Sequence, residues 1–355
     1  MLFSYKYINH SMEKMQDYID YIFYKVWCKA PQCDYGLELF NNNTDLKDII
    51  IAFYYTEPKG ADFFIKGIEN VFLIFKTLSP DEIFQLKTCY QSNNDFENLC
   101  NKDPMVVPST YSDIDLINKN LGAALKSFFV GLYSHEFLSL KVLADKIGSI
   151  DDHYTEFVTI NDKGKCPFCG LNKIDGKYVH TREAYDHYLP KSKYPFASIN
   201  FKNLSPTCNK CNSSNKGSKD PLHDIDGVRR KAFYPYSTSD YEIEIDIRLI
   251  SADICNLKPE DLTITFRPSE LEEEIKTWNE LFGIEERYKA ECCDDAEYWI
   301  EMIYDELSNM PLREALSNVI KQSRKFPYKE TNFLRKSFLV ACDTKKLFQT
   351  NDFRL

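Results

Sequence analysis

Two pairs of cysteines have the spacing of a metal site. Cys166 and Cys169 form one C-x2-C pair, and Cys208 and Cys211 form a second. Four thiolates can close the tetrahedral coordination of a structural zinc, which stabilises the fold and leaves no open position for catalysis. One such pair arises readily by chance in a chain with 12 cysteines, but two pairs that flank one basic segment do not. We therefore predict a structural zinc site with four cysteine ligands.

Asp186 and His187 lie between the two pairs and have the chemistry for phosphodiester hydrolysis. That reaction needs a base that deprotonates water near neutral pH and a cation that holds developing charge. His187 has a suitable intrinsic pKa for the base. Asp186 offers a hard oxygen ligand for Mg²⁺, and Asn215 offers a neutral second one. Because Mg²⁺ keeps several waters, this sparse ligand set is adequate.

A hairpin and a short helix are needed to bring these residues together. Residues 185–189 can end one strand, and residues 203–205 can return as the second. A short helix can then open at residue 206 and end at Gly217 in the left-handed conformation. On that helix the two cysteines of the second pair share one face with Asn215, which would reach towards Asp186.

Positive charge is concentrated in the same segment. Residues 161–230 contain 13 Lys and Arg against 7 Asp and Glu, although the whole chain has a net charge of −10. Lysines of this segment can contact a phosphate backbone. The candidates for nucleic-acid contact are Lys191, Lys193, Lys202, Lys210, Lys216 and Lys219.

The segment from 166 to 220 resembles HNH (ββα-metal) endonucleases of the zinc-stabilised C-x2-C type. His187, preceded by Asp186, matches the first position of the motif. Asn203, followed by a leucine, matches the middle position. The last position is matched by Asn215, and Asn212 is a competing assignment because it directly follows the second cysteine pair.

The resemblance implies a role for each matched residue. His187 would be the general base, and Asp186 and the final asparagine would hold a divalent ion, Mg²⁺ or Mn²⁺. Asn203 would orient the loop of the base through hydrogen bonds to the backbone. The stretch 185–196 is more narrowly similar to the HNH subunits of Septu-type anti-phage systems. Such a subunit acts as the nuclease beside an ABC-class ATPase. We expect nucleic acid as the substrate, with DNA favoured and RNA as the open alternative.

The alternative is a non-catalytic, zinc-dependent module that binds nucleic acid or serves as an adaptor. It would need the cysteines and lysines, but not Asp186 and His187. The chain shows no G-x4-G-K-[ST] loop that would cradle phosphates, so any nucleotide hydrolysis would require another protein.

The flanking regions predict an α+β fold that is mostly helical. Residues 1–150 have helical periodicity, with a capping box at Ser79, and are predicted to be regulatory or partner-binding. Residues 151–235 would form the nuclease core. Residues 236–355 begin with alternating strands at 241–247 and 262–266 and continue as helices, the first of them with a capping box at Ser269.

Composition excludes several classes of protein. With 43% hydrophobic residues the chain can bury a sizeable core, so global disorder is excluded. Its apolar runs are far shorter than the ~18–20 residues that span a bilayer. The first residues show no uniform apolar stretch of a secretory signal. We therefore expect a cytoplasmic protein, in which cysteines stay reduced unless they bind metal or do chemistry.

Overall fold

The computed structural model describes residues 1–56, 60–239, 241–307 and 310–349. The chain is about 56% helical and has two small two-stranded sheets, which confirms the mostly helical α+β prediction. The N-terminal α-helices are α1 Lys14–Tyr21, α2 Thr44–Thr56, α3 Asp62–Phe75, α4 Pro80–Asn93, α5 Phe96–Cys100, α6 Tyr111–Ile117, α7 Leu121–Leu132, α8 His135–Leu138, α9 Lys141–Ile147 and α10 Ile150–Ile160. The later elements are β1 Tyr185–His187, β2 Leu204–Pro206, a π-helix Lys210–Lys216, β3 Glu244–Leu249, β4 Leu262–Arg267, α11 Glu272–Phe282, α12 Ile284–Leu307, α13 Leu312–Lys325 and α14 Asn332–Thr344.

The start of α4 follows from its first residues. The Glu82 backbone N–H donates to Ser79 Oγ at 3.3 Å, and the Ser79 N–H donates to the Glu82 carboxylate at 2.7 Å. Pro80 occupies the first helical position, where its missing N–H costs nothing. The predicted capping box is therefore confirmed.

The start of α11 differs from its prediction. Residues Ser269–Leu271 form a 3₁₀ turn, and the α-helix begins only at Glu272. Ser269 makes no capping hydrogen bond, because the intervening turn separates it from the first α-helical N–H groups. The apolar face of α11 is nevertheless as expected, since Ile275, Trp278 and Leu281 are buried.

The predicted hairpin around His187 is present, and so are the two later strands, although the first of these spans Glu244–Leu249 and not 241–247. β1 pairs antiparallel with β2, so that Asp186 lies opposite Ser205 and His187 opposite Leu204. β3 pairs antiparallel with β4 through the register from Glu244–Arg267 to Leu249–Leu262, and α14 packs on β3.

One hydrophobic core extends through all three predicted regions. The N-terminal helices hold the loop after β1: Tyr111 N–H donates to the Lys193 carbonyl at 3.2 Å, and Asn93 Nδ2 donates to the Pro195 carbonyl at 3.1 Å. Tyr5 Oη donates to the Pro206 carbonyl at 2.9 Å. The boundaries at 150 and 235 thus mark changes in sequence character, not separate cores. No helix in the described ranges is long and apolar enough to cross a bilayer.

Candidate functional site

The four predicted zinc ligands converge in the fold. The sulfur atoms of Cys166, Cys169, Cys208 and Cys211 all lie within 4.8 Å of one another, and all four residues are buried. The Cys169 and Cys208 sulfurs are 4.0 Å apart. Four thiolates ~2.3 Å from one tetrahedral zinc would stand ~3.8 Å from each other. The cluster could therefore hold one zinc ion.

Tight turns aim each pair at this centre. The Gly170 N–H donates to the Cys166 carbonyl at 2.7 Å, which closes the first knuckle. Gly170 has a φ of 67°, and a Cβ there would come within 2.4 Å of Leu2. Glycine suits both the left-handed backbone and the close approach. In the second pair the Cys211 N–H donates to the Cys208 carbonyl at 3.0 Å.

Arg287 on α12 supports the cluster and was not anticipated from the sequence. Its guanidinium lies 3.2 Å from the Cys211 sulfur and 2.9 Å from Asn172 Oδ1. The neighbouring Tyr288 hydroxyl donates to the Cys169 carbonyl at 2.9 Å. Four thiolates around one divalent ion carry net negative charge, which a guanidinium offsets in a buried setting. Arg287 has no sequence signal, because it lies far along the chain from either cysteine pair.

The β1–β2 hairpin places His187 in one tautomer. His187 Nε2 lies 2.9 Å from the Ser198 carbonyl oxygen. A carbonyl only accepts hydrogen bonds, so Nε2 carries the proton and Nδ1 keeps the lone pair. Burial, assisted by the positive charges of Lys191 and Lys216, lowers the pKa of His187 to about 3. The imidazole is therefore neutral at physiological pH, with an unprotonated Nδ1.

Asp186 is buried beside His187 and has one oxygen without a partner. Its Oδ1 accepts from Lys216 Nζ at 2.9 Å, whereas Oδ2 is buried and makes no hydrogen bond within the described chain. Burial raises the pKa of Asp186, and Lys216 partly offsets that effect. A buried carboxylate oxygen without a donor is costly unless a cation or water completes its contacts. Asp186 Oδ2 therefore suits a hard divalent ion.

Asn203 fastens the loop that follows β1. Its Oδ1 accepts from the Leu189 N–H at 2.7 Å, and its Nδ2 donates to the Leu189 and Ala197 carbonyls at 3.0 and 3.1 Å. The Asn203 carbonyl also accepts from the Tyr188 N–H at 2.9 Å. Ser198, whose carbonyl contacts the His187 ring, directly follows Ala197 in the chain. These bonds fit the orienting role that the family resemblance implies.

Replacing Asn203 by Asp is expected to lower the free energy of unfolding by about 2–4 kcal/mol. The substitution keeps the acceptor but removes both donors, and it sets a carboxylate against the Leu189 and Ala197 carbonyls. Urea denaturation measures the effect. Asn200→Asp is the control, because the half-buried Asn200 amide donates only to Asn94 and should cost less. Equal losses in the two variants would contradict the bridging role of Asn203.

The structure does not bring Asn215 to Asp186. Asn215 Nδ2 donates to the Lys210 carbonyl at 2.6 Å, and its Oδ1 lies beside Gly283 at the end of α11. The segment is a π-helix, whose i to i+5 bonds turn the chain differently from the α-helix assumed in the sequence analysis. Lys216, five residues after Cys211, is buried next to Asp186 instead.

Asn212 remains as the other assignment for the last position of the motif. It is half-buried, and its side chain makes no hydrogen bond to any described residue, while its carbonyl accepts from the Gly217 N–H at 2.7 Å. Its amide oxygen is therefore available as a ligand.

Four of the six candidate lysines bond within the protein. Lys191 Nζ donates to the Val130 and Tyr133 carbonyls at 3.2 and 3.1 Å, at the end of α7. Lys193 pairs with Asp220 at 2.5 Å, and Lys216 is the buried partner of Asp186. Lys219 is exposed but donates to the Glu280 carbonyl at 3.3 Å. Contact with a phosphate backbone stays a prediction for these lysines, although the Lys216 side chain is 0% exposed. Lys202 and Lys210 are exposed as expected.

Aromatic residues from the N-terminal region line the back of the site. The Tyr133 ring meets the His187 ring edge-on, with centroids 4.7 Å apart. His153 Nδ1 lies 2.5 Å from the Tyr185 hydroxyl on β1. Burial, assisted by the charge of His10, lowers the pKa of His153 to about 3. His153 thus supports the fold, and it contacts the strand that carries Asp186.

The low pKa of His153 predicts acid lability. Between the unfolded value of 6.5 and the folded value of about 3, the unfolded chain binds more protons, so stability is present above pH 6.5 and is lost as pH falls. The contribution amounts to at most about 1.4 kcal/mol per pH unit. His153→Gln should flatten the dependence of unfolding free energy on pH. Identical slopes for the wild type and the variant would refute this assignment.

Comparison with known proteins adds one partial similarity. No protein-family model matches the chain, and no solved structure matches it. The chain is 32% identical over 87 residues to Protein ea31 of Escherichia phage lambda. That match covers 24% of this chain and 26% of the phage protein, so the chain spans about a quarter of the curated relative it matches.

Proposed function

We propose that this chain is a metal-dependent HNH endonuclease that hydrolyses phosphodiester bonds of nucleic acid. The observation that carries the proposal is the pairing of two groups at the end of β1. A neutral His187 is held by the Ser198 carbonyl, and the adjacent Asp186 has a buried oxygen without a donor. The hairpin, the four-cysteine cluster and the Asn203 bonds support the same assignment.

The residues of the chain divide the reaction among them. His187 Nδ1 would accept the proton of the attacking water, and the Ser198 carbonyl would hold the ring in place as it becomes charged. Asp186 Oδ2 and the Asn212 amide oxygen would hold the divalent ion. When bound, that ion would stabilise the negative charge that develops on the phosphate. Tyr133 would shield one edge of the imidazole from water.

The four-cysteine cluster would hold a structural zinc in this account. It joins the knuckle at residue 166 to the π-helix that carries Lys216 and Asn212. A bound zinc would therefore fix the distance between that helix and the β1–β2 hairpin. We assign no catalytic step to it, since four thiolates close its coordination.

The biological setting is also a proposal. The similarity of residues 185–196 to Septu-type nucleases supports a role as the cutting subunit of an anti-phage system, with DNA as substrate and an ABC-class ATPase as partner. Copurification with the product of an adjacent ABC-class ATPase gene would test it, and a chain that purifies alone from cells expressing both would count against it.

A cleavage assay with a charge-balanced variant tests the function. Duplex DNA, single-stranded DNA and RNA are incubated with the protein and Mg²⁺ or Mn²⁺, with and without a chelator. Asp186→Asn alone would leave Lys216 buried without its anion, so it is combined with Lys216→Met. We expect cleavage by the wild type only with the ion, and none by the double variant. If the double variant cleaves like the wild type, the proposal fails. If the wild type binds nucleic acid but never cleaves, the non-catalytic module is the better description.

A further inference from the structure

Lys216 is the most completely buried cation at the site. Its side chain is 0% exposed, and its ammonium lies 2.9 Å from both Asp186 Oδ1 and the His187 carbonyl oxygen. The Tyr188 ring is the next neighbour, with its centroid 5.9 Å from Nζ. A buried ammonium is costly unless it is paired. Both hydrogen-bond partners belong to the pair of residues on which the proposed chemistry rests.

This contact changes the charge that a divalent ion would meet. Asp186 is the anionic ligand of the proposed ion site, and it is paired with Lys216. Lys191, the other cation that acts on His187, adds further positive potential. An incoming divalent ion would therefore find little net negative charge, although Asp186 Oδ2 is ready to bind it. A phosphodiester would supply the missing negative charge.

We propose that Lys216 couples uptake of the divalent ion to binding of the substrate phosphate. This inference rests on the proposed nuclease function. In the resting protein the ammonium balances Asp186, so the ion binds weakly. When the phosphate enters, its anionic oxygens attract the ion to Asp186 Oδ2. Lys216 is thus a positioning residue that acts through Asp186. The site would bind its divalent ion tightly only when the substrate phosphate is present.

A purely structural role for Lys216 predicts the opposite effect of substitution. If the lysine only held β1 in place, its removal would weaken the binding of every ligand at the site. If it competes electrostatically with the ion, its removal should strengthen binding of the ion in the absence of nucleic acid. The sign of the change in affinity therefore separates the two roles.

The test measures Mn²⁺ binding by electron paramagnetic resonance on the zinc-loaded full chain. All proteins carry His187→Ala so that a DNA oligonucleotide is not cut. With Mn²⁺ alone, Lys216→Met should bind about tenfold more tightly or better than the parent, because one nearby positive charge is gone. Adding the oligonucleotide should tighten binding by about tenfold in the parent and by less in the variant.

Two further variants keep the result interpretable. Lys216→Gln is included in case the methionine variant does not fold. It removes the charge but keeps a donor towards Asp186, and it should also bind Mn²⁺ more tightly than the parent. Lys216→Arg keeps the charge and should resemble the parent. Equal or weaker Mn²⁺ binding by the folded uncharged variants would overturn the inference while leaving the nuclease proposal intact. If no protein binds Mn²⁺ even with the oligonucleotide, the proposed function fails as well.

Discussion

Replacing His187 by alanine is expected to lower the rate of nucleic-acid cleavage by about 10²–10⁴-fold. In the described structure the imidazole at the end of β1 is neutral and fixed in one tautomer, and its Nδ1 carries no proton. Removing it leaves Asp186 and the cysteine cluster in place. We therefore expect the variant to retain its zinc and its circular dichroism spectrum while its single-turnover cleavage rate collapses.

The matched control is His180→Ala. His180 lies in the same basic segment, but it is exposed and makes no contact to β1 among the described residues. Its loss should leave the cleavage rate within about twofold of wild type, since surface substitutions rarely matter. A His187→Ala protein that is folded and cleaves as fast as His180→Ala would remove His187 from the role of base.

Replacing Cys166 by serine is expected to have the largest effect on stability. A structural zinc contributes its binding free energy to folding, and a hydroxyl does not replace a buried thiolate. We expect the zinc content to fall from one ion per chain to well below one, and the free energy of unfolding to fall by on the order of 5 kcal/mol. Metal analysis and thermal denaturation of the purified proteins measure the two effects.

Cys292→Ser provides the comparison for burial alone. Cys292 is as buried as Cys166, with 0% exposure, but it lies outside the cluster on α12. The Cys292→Ser protein should lose some packing energy and keep its zinc. Equal zinc contents in the Cys166 and Cys292 variants would show that the cluster does not bind the ion.

Local spacing was sufficient to predict much of the site. The C-x2-C pairs, the two short strands and the Asn203 position all depend on residues that are near one another in sequence. Each turn has its own signal, such as Gly170 after the first pair. These features could be found without knowledge of the rest of the chain, because short-range backbone geometry determines them.

Asn215 was expected to face Asp186 because the segment was taken as an α-helix. An α-helix would place Asn215 one turn beyond Cys211, on the side of Asp186. The observed π-helix has wider turns and places the fifth residue there. π-Helices have no reliable sequence signature, so a residue's face cannot be assigned by counting alone. The lysine that looked like a phosphate contact is therefore an internal partner of the site.

Long-range packing explains the other omissions. Arg287 and Tyr133 reach the site from α12 and from the end of α7, and no pattern near the motif points to them. The same packing ties residues 1–150 to the core segment, since Tyr5, Asn93 and Tyr111 bond directly to it. We therefore expect deletion of this region to disturb the site. Tests of partner binding should use substitutions on the exposed faces of these helices.

In the proposed reaction the chain's own residues activate water against a phosphodiester. Cleavage of a defined oligonucleotide in ¹⁸O-labelled water, followed by mass spectrometry of the new ends, tests it most directly. With Mg²⁺ or Mn²⁺ present, we predict that each cut places one solvent oxygen on the new terminal phosphate, and that a chelator abolishes the products. No cleavage of DNA or RNA with either ion, or ends that carry no solvent oxygen, would contradict the account.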